Sequence, residues 1–185
     1  MMKIYITKNN VKSLELLDKI LRNDFNIIDY SIITNKYGKK YLENSNLYFN
    51  ISHSNEIIAI CFDNVECGID IEDSSKERRF TEIVKRYFTY YEQKIFDNCN
   101  QKQECFYKIW TSKEAYSKLL GTGINGYFHD FKEIDDKYLH NIKTLKFTYH
   151  QKQYILSIAM PCTNISDFEL QFDIKLDQEI FLESI

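Results

Sequence analysis

The chain has one proline, one tryptophan and five glycines among 185 residues, and no long apolar run. Its longest apolar stretch, Ile57 to Phe62, is far short of the roughly 20 residues that a membrane-crossing helix needs. The opening MMKIYITKNN has no basic segment followed by a long apolar one, so neither a membrane span nor a leader peptide is expected. Positive charge is not in excess: 24 basic against 27 acidic residues leave a net charge of -3, which argues against a nucleic-acid partner held through its phosphates. The five cysteines are odd in number and never form a C-x-x-C pair, and the four histidines show no ligand spacing, so a zinc or disulfide framework is not indicated. Buried thiols in a reducing cytoplasm are the expectation. The scarcity of glycine and proline points to no function. What remains is ordinary globular composition, 44% hydrophobic and 28% charged, enough for one core or two small lobes that share one.

Residues 2 to 7 read as a strand, and Val11, Leu14, Leu16, Leu17, Ile20 and Leu21 recur at helical spacing. A strand is expected near Ile27 to Thr34, and the lysine-rich loop NKYGKK follows. LYFNIS and IIAICFD suit a hairpin, and CGIDIE a third strand. The second half opens as the first does, with a short strand and then helical periodicity at Phe80, Ile83, Val84 and Tyr87. Thr89 with Glu92 has the form of a capping box, so a helix should start there, with a longer one at about Glu104 to Leu120. Beyond Gly121, Gly123 and Gly126, TLKFTYH, QYILSIAM and FELQFDI return to β patterning. The expected fold is α+β, divided into lobes 1–64 and 65–185.

In CGIDIE, side chains alternate between faces, so Asp70 and Glu72 project together while Ile69 and Ile71 turn to apolar packing. Their mutual repulsion is relieved by open water or by a cation between them; a solvated edge strand is the plain alternative. On the helix FYKIWTSKEAYSKLL, Cys105, Ile109, Ser112, Tyr116 and Leu119 define an inward stripe. Glu114 and Lys118 stand one turn apart on another side, with Trp110 a turn further back. Such a set of carboxylates suits magnesium, which takes oxygen ligands and fills its other positions with water and phosphate. In FNISHS, Ser52, His53 and Ser54 offer hydroxyl, imidazole and backbone donors at a strand end, and Lys39 and Lys40 lie one loop earlier. Separately, these features also fit a turn histidine, a solvated loop and an exposed Glu–Lys pair worth a few tenths of a kcal/mol.

In order, GKK, FNISHS, GIDIE and WTSKEAYSKLLG resemble the ordered motifs of the Sfp-type 4'-phosphopantetheinyl transferases, over about Tyr37 to Gly126. The last block matches W-x-x-K-E-A-x-x-K-x-x-G at every fixed position. The resemblance implies two similar α/β lobes related by a pseudo-two-fold, with coenzyme A in the cleft between them. It implies magnesium on Asp70, Glu72 and Glu114, phosphate contacts from Ser52, His53 and the Lys39–Lys40 loop, and a carrier-protein serine as the attacking group. Glu114 would take the serine's proton, and Lys118 would stabilise the departing 3',5'-ADP. Two departures stand out: 36 residues precede Tyr37, fewer than in larger members, and Lys40 occupies a position where the family usually has proline. The reading expects a cytoplasmic monomer that modifies an acyl or peptidyl carrier protein. The alternatives it leaves open are a non-catalytic carrier- or coenzyme-A-binding module and a magnesium-dependent phosphohydrolase. Against the latter, Ser74 stands where a common nuclease pattern has lysine.

Overall fold

The unbroken apolar run Ile57 to Phe62 becomes a strand, β5 (Ile57–Asp63), and its burial on both faces sets the layering of the molecule. Ile57, Ala59 and Cys61 face one core, and Ile58, Ile60 and Phe62 another. A period of two therefore fills two cores from one continuous run. The structure, a computed structural model, describes residues 1–123, 142–161, 168–173 and 178–182.

β5 lies between β4 (Tyr48–Ser54) and β1 (Met2–Lys8), both antiparallel to it, and β9 (Phe168–Phe172) pairs parallel with β1. The first sheet thus runs β4-β5-β1-β9. A second sheet joins β6 (Gly68–Asp73), β7 (Ile142–Tyr149), β8 (Lys152–Ala159) and β10 (Gln178–Leu182) in the order β10-β7-β8-β6. Met2, Ile4 and Ile6 of the first sheet pack with Ile69, Ile71, Leu156 and Ile158 of the second in a shared core. α1 (Ser13–Asp24) covers the outer face of the first sheet with Leu16, Leu17, Ile20 and Leu21. α2 (Phe80–Tyr87), α3 (Tyr90–Asn98) and α4 (Lys102–Leu120) cover the outer face of the second. The architecture is mixed α+β. Each fully buried Leu or Ile in these layers contributes about 1.5–3 kcal/mol.

Several local readings hold. Thr89 and Glu92 form the capping box reciprocally, at 2.7 and 3.2 Å. β7 and β8 join through His150 and Gln151, both at positive φ, the backbone that matches strand twist in a two-residue hairpin. Others are corrected. Val11 precedes α1, and both it and Leu14 are exposed. The strand expected at Ile27 to Thr34 shrinks to β2 (Ile32–Thr34), paired with β3 (Lys40–Leu42), while Asn26 at positive φ turns the chain so that Phe25, Ile27 and Tyr30 pack beside α1. α4 is buried around most of its circumference, Trp110 and Glu114 included, because the second sheet, α2 and α3 enclose it. β9 crosses the division expected at residue 64, since it follows the second sheet's hairpin yet joins the first sheet. Strand β10 had no counterpart in the sequence reading. Gly126, His129, His140 and Cys162 lie outside the described residues. No helix among the described residues is long and apolar enough to cross a membrane.

Candidate active site

Asp70 and Glu72 share a face of β6 as the alternation requires, but that face is not a solvated edge: Asp70 is 6% exposed. β6 and β4 are the edges of their sheets, and side chains rather than a backbone ladder join them. The Ile69 N–H donates to Asn50 Oδ1 at 3.2 Å, the Ile71 N–H to Ser52 Oγ at 3.3 Å and the Asp73 N–H to Ser54 Oγ at 2.9 Å. Alternate residues of FNISHS thereby satisfy donors that an edge strand would leave orphaned. The same hydroxyls donate onward, Ser52 to Asp70 Oδ1 at 2.8 Å and Ser54 to Glu72 Oε2 at 3.2 Å.

Glu114 and Lys118 reach this seam from α4, which crosses β6 at Gly68. A Cβ there would stand 2.5 Å from the Leu119 backbone nitrogen, so only glycine admits the helix so closely. Lys118 Nζ donates to Asp70 Oδ1 at 2.8 Å and to Ser52 Oγ at 2.9 Å. Arg78, on the loop after β6, donates from Nη2 to both Glu72 oxygens at 3.1 Å. Burial first, then the neighbouring Asp70 carboxylate, pushes the Glu114 carboxyl up to about 8 against the opposing pull of Lys118. Burial likewise raises Glu72, with Arg78 opposing.

Among the described residues no three His, Cys, Asp or Glu side chains stand together as a metal cluster, and Asp70 and Glu72 are each turned to other neighbours. The reason is electrostatic, since Asp70 turns to Lys118 and Glu72 to Arg78. The donor set nevertheless fits a hard cation. Asp70 Oδ2 is buried with no hydrogen-bond partner among the described residues, and three carboxyl groups crowd closely enough to raise Glu114.

Beside the carboxylates lies a cleft of about 580 Å³, lined by Glu114, Lys118, His53 and Lys40 on its polar side and by Leu14, Tyr37, Phe49 and Ile51 on its apolar side. His53 and Lys40 are exposed there and able to meet an anion. Two expected phosphate contacts have other partners. Ser52 belongs to the seam, and Lys39 Nζ is buried between Glu66 Oε2 at 2.8 Å and the Leu119 carbonyl at 2.7 Å. Lys39 thus satisfies a carbonyl at the C-terminal end of α4, where a cation also meets the helix dipole favourably. Asn35 adds a bond to the Gly121 carbonyl at 2.9 Å. Gly121 itself closes α4 at a φ of 65°, with the side chains of Asn35 and Lys39 pressed against it.

The sequence reading missed Arg78 and Lys113, and named Ser54 only as a donor at a strand end. Lys113, within WTSKEA, is 1% exposed and holds both oxygens of Glu92 at 2.9 Å, tying the start of α3 to the residue before Glu114. Ser54 carries a detectable signal, because N-x-S-x-S has the same period as I-x-I-x-D. Arg78 carries none in local spacing.

A carboxylate–lysine cluster at the rim of a cation-lined cleft is an arrangement able to receive phosphate groups and move a proton beside them. Comparison with known proteins agrees with this setting. The profile of the 4'-phosphopantetheinyl transferase superfamily matches residues 66–160, just over half the chain, and the chain belongs to that family. It is similar to the 4'-phosphopantetheinyl transferase Sfp of Bacillus subtilis strain 168, with 33% identity over 100 residues, 52% of this chain and 44% of that protein. The 4'-phosphopantetheinyl transferase gsp of Aneurinibacillus migulanus is 28% identical over 171 residues, 84% of this chain and 71% of its own length. The 4'-phosphopantetheinyl transferase HetI of Nostoc sp. PCC 7120 is 37% identical over 91 residues, 47% of this chain and 38% of its own. The match thus spans less than half the length of two of these relatives and 71% of the third.

Proposed function

We propose that the chain transfers the 4'-phosphopantetheine group of coenzyme A to a serine of an acyl or peptidyl carrier protein, releasing 3',5'-ADP, as a magnesium-dependent monomer of the cytoplasm. The observation that carries the proposal is the meeting of Glu114 and Lys118 with Asp70 at the mouth of a cleft that also bears Lys40 and His53. The names of the relatives support the same reaction. A pair of similar lobes is supported by element order: β1–α1–β4–β5 and β6–α4–β7–β8 are both strand, helix and hairpin, and in both the hairpin's second strand pairs with the first strand.

Asp70, Glu72 and Glu114 would hold the magnesium, which when bound supplies positive charge to a pyrophosphate. The cleft's Lys40 and His53 hold phosphate oxygens and orient the substrate, and Leu14, Tyr37, Phe49 and Ile51 exclude water beside them. The serine oxygen of the carrier forms its bond to phosphorus as the bond to the 3',5'-ADP oxygen breaks. Glu114 takes the serine proton. Lys118, held by Asp70 and Ser52, meets the negative charge that collects on the leaving phosphate.

The test mixes an apo carrier with this chain, coenzyme A and magnesium and weighs the carrier. Gain of one phosphopantetheine is the expected result. Binding without transfer would favour the non-catalytic module, and phosphate release from simple esters the phosphohydrolase.

A further inference from the structure

The loop from Ser74 to Arg79 is fastened to α4 at two points: the Tyr107 hydroxyl donates to the Lys76 carbonyl at 2.8 Å, and Gln103 Nε2 to the Ser74 carbonyl at 2.7 Å. So anchored, it sets the Arg78 guanidinium 5.6 Å from the centre of the Tyr107 ring and within hydrogen-bond reach of both Glu72 oxygens. Ser54 already donates to one of those oxygens. Glu72 is therefore engaged on both of its atoms before any cation arrives.

Asp70, Glu72 and Glu114 carry three potential negative charges, and Lys118 and Arg78 supply two positive ones. A divalent cation added to all five groups would leave the buried cluster positive, whereas release of Arg78 leaves it neutral, the cheaper state in a medium of low dielectric. The release has somewhere to go. Arg78 is about a third exposed, its loop is held through backbone carbonyls rather than through its own side chain, and the face of Tyr107 offers a resting surface by cation–π attraction. Lys118 has no such freedom, since it is bound by Asp70 and Ser52 together.

We propose that Arg78 is an internal counter-ion of Glu72, which a divalent cation must displace, so that this side chain sets the cation affinity of the site by competition. The inference rests on the reading that Asp70, Glu72 and Glu114 hold the cation. A guanidinium that instead steadied Glu72 for the ion would have the opposite effect on affinity, so the sign of one measurement separates the two roles.

The experiment titrates manganese(II) into the whole chain and follows the free ion by electron paramagnetic resonance, for the unaltered protein and for Arg78→Ala, Arg78→Lys and Asp70→Asn. Circular dichroism checks that each variant is folded. Arg78→Ala should bind manganese roughly fivefold to tenfold more tightly, the scale of one partly exposed charge-assisted pair. Arg78→Lys, which keeps the charge but loses the planar fork, should fall between. Asp70→Asn should bind less. Equal or weaker binding by Arg78→Ala, with manganese still bound by the unaltered chain, overturns the competition. Absence of binding in the unaltered chain and in every variant overturns the cation site itself, and the inference with it.

Discussion

Replacing Gly68 by alanine puts a methyl group where α4 crosses β6. The new carbon would overlap the Ala115 carbonyl oxygen and stand 2.5 Å from the Leu119 nitrogen and 3.0 Å from its Cα, all backbone atoms that no rotamer change can move aside. Carbon and nitrogen need about 3.4 Å or more, so helix and strand must separate by on the order of 1 Å. The φ of Gly68 is not positive, so the penalty is steric and not conformational. Forced overpacking costs about 1–3 kcal/mol, and contact with backbone argues for the upper end. The consequence for chemistry is larger. Glu114 and Lys118 ride on that helix and Asp70 on that strand, joined by a 2.8 Å bond, and a misplacement of about 1 Å costs roughly 100-fold in rate. Urea denaturation gives the first quantity, and single-turnover modification of an apo carrier the second. Gly68→Ala with unchanged stability and unchanged transfer would refute the argument that this crossing assembles the site.

Lys113→Met leaves Glu92 buried without its ammonium partner and should cost about 3–5 kcal/mol, read as a lower urea midpoint; adding Glu92→Met should restore much of the loss, apart from the capping bond to Thr89. Glu114 has a carboxyl raised from 4.5 to about 8 in the cation-free chain, so it keeps a proton that the unfolded chain gives up. Its contribution to stability is full below about pH 4.5 and is lost as pH rises through about 8, so Glu114→Gln should gain on the unaltered protein across that window. A stability difference that stays flat from pH 4 to pH 9 would count against the raised value. Ser54→Ala removes the acceptor of the Asp73 N–H and a donor to Glu72, and should cost about 1–3 kcal/mol by thermal unfolding. Asp70→Asn should lower transfer and also stability, because this carboxylate is buried against Lys118 and Ser52.

What the sequence determined by itself is whatever repeats within a few residues. Alternation along β6 sends Asp70 and Glu72 to one face and Ile69 and Ile71 to the other, and helical spacing sets Lys118 one turn beyond Glu114. The reciprocal bonds of Thr89 and Glu92 are likewise local. Tertiary structure alone decided the partners of those groups. Lys118 meets Asp70 across 48 positions and Ser52 across 66, and Lys39 caps a helix 80 residues away. Periodicity says which way a side chain points but carries no information about what stands opposite. Ser52, expected at a phosphate, sits in a seam because two sheet edges meet there, and Asp70, for which a solvated edge strand was the plain alternative, is buried for the same reason. β9 joins the first sheet because the edge of β1 has unpaired backbone groups for it to meet, a fact written in no spacing along the chain.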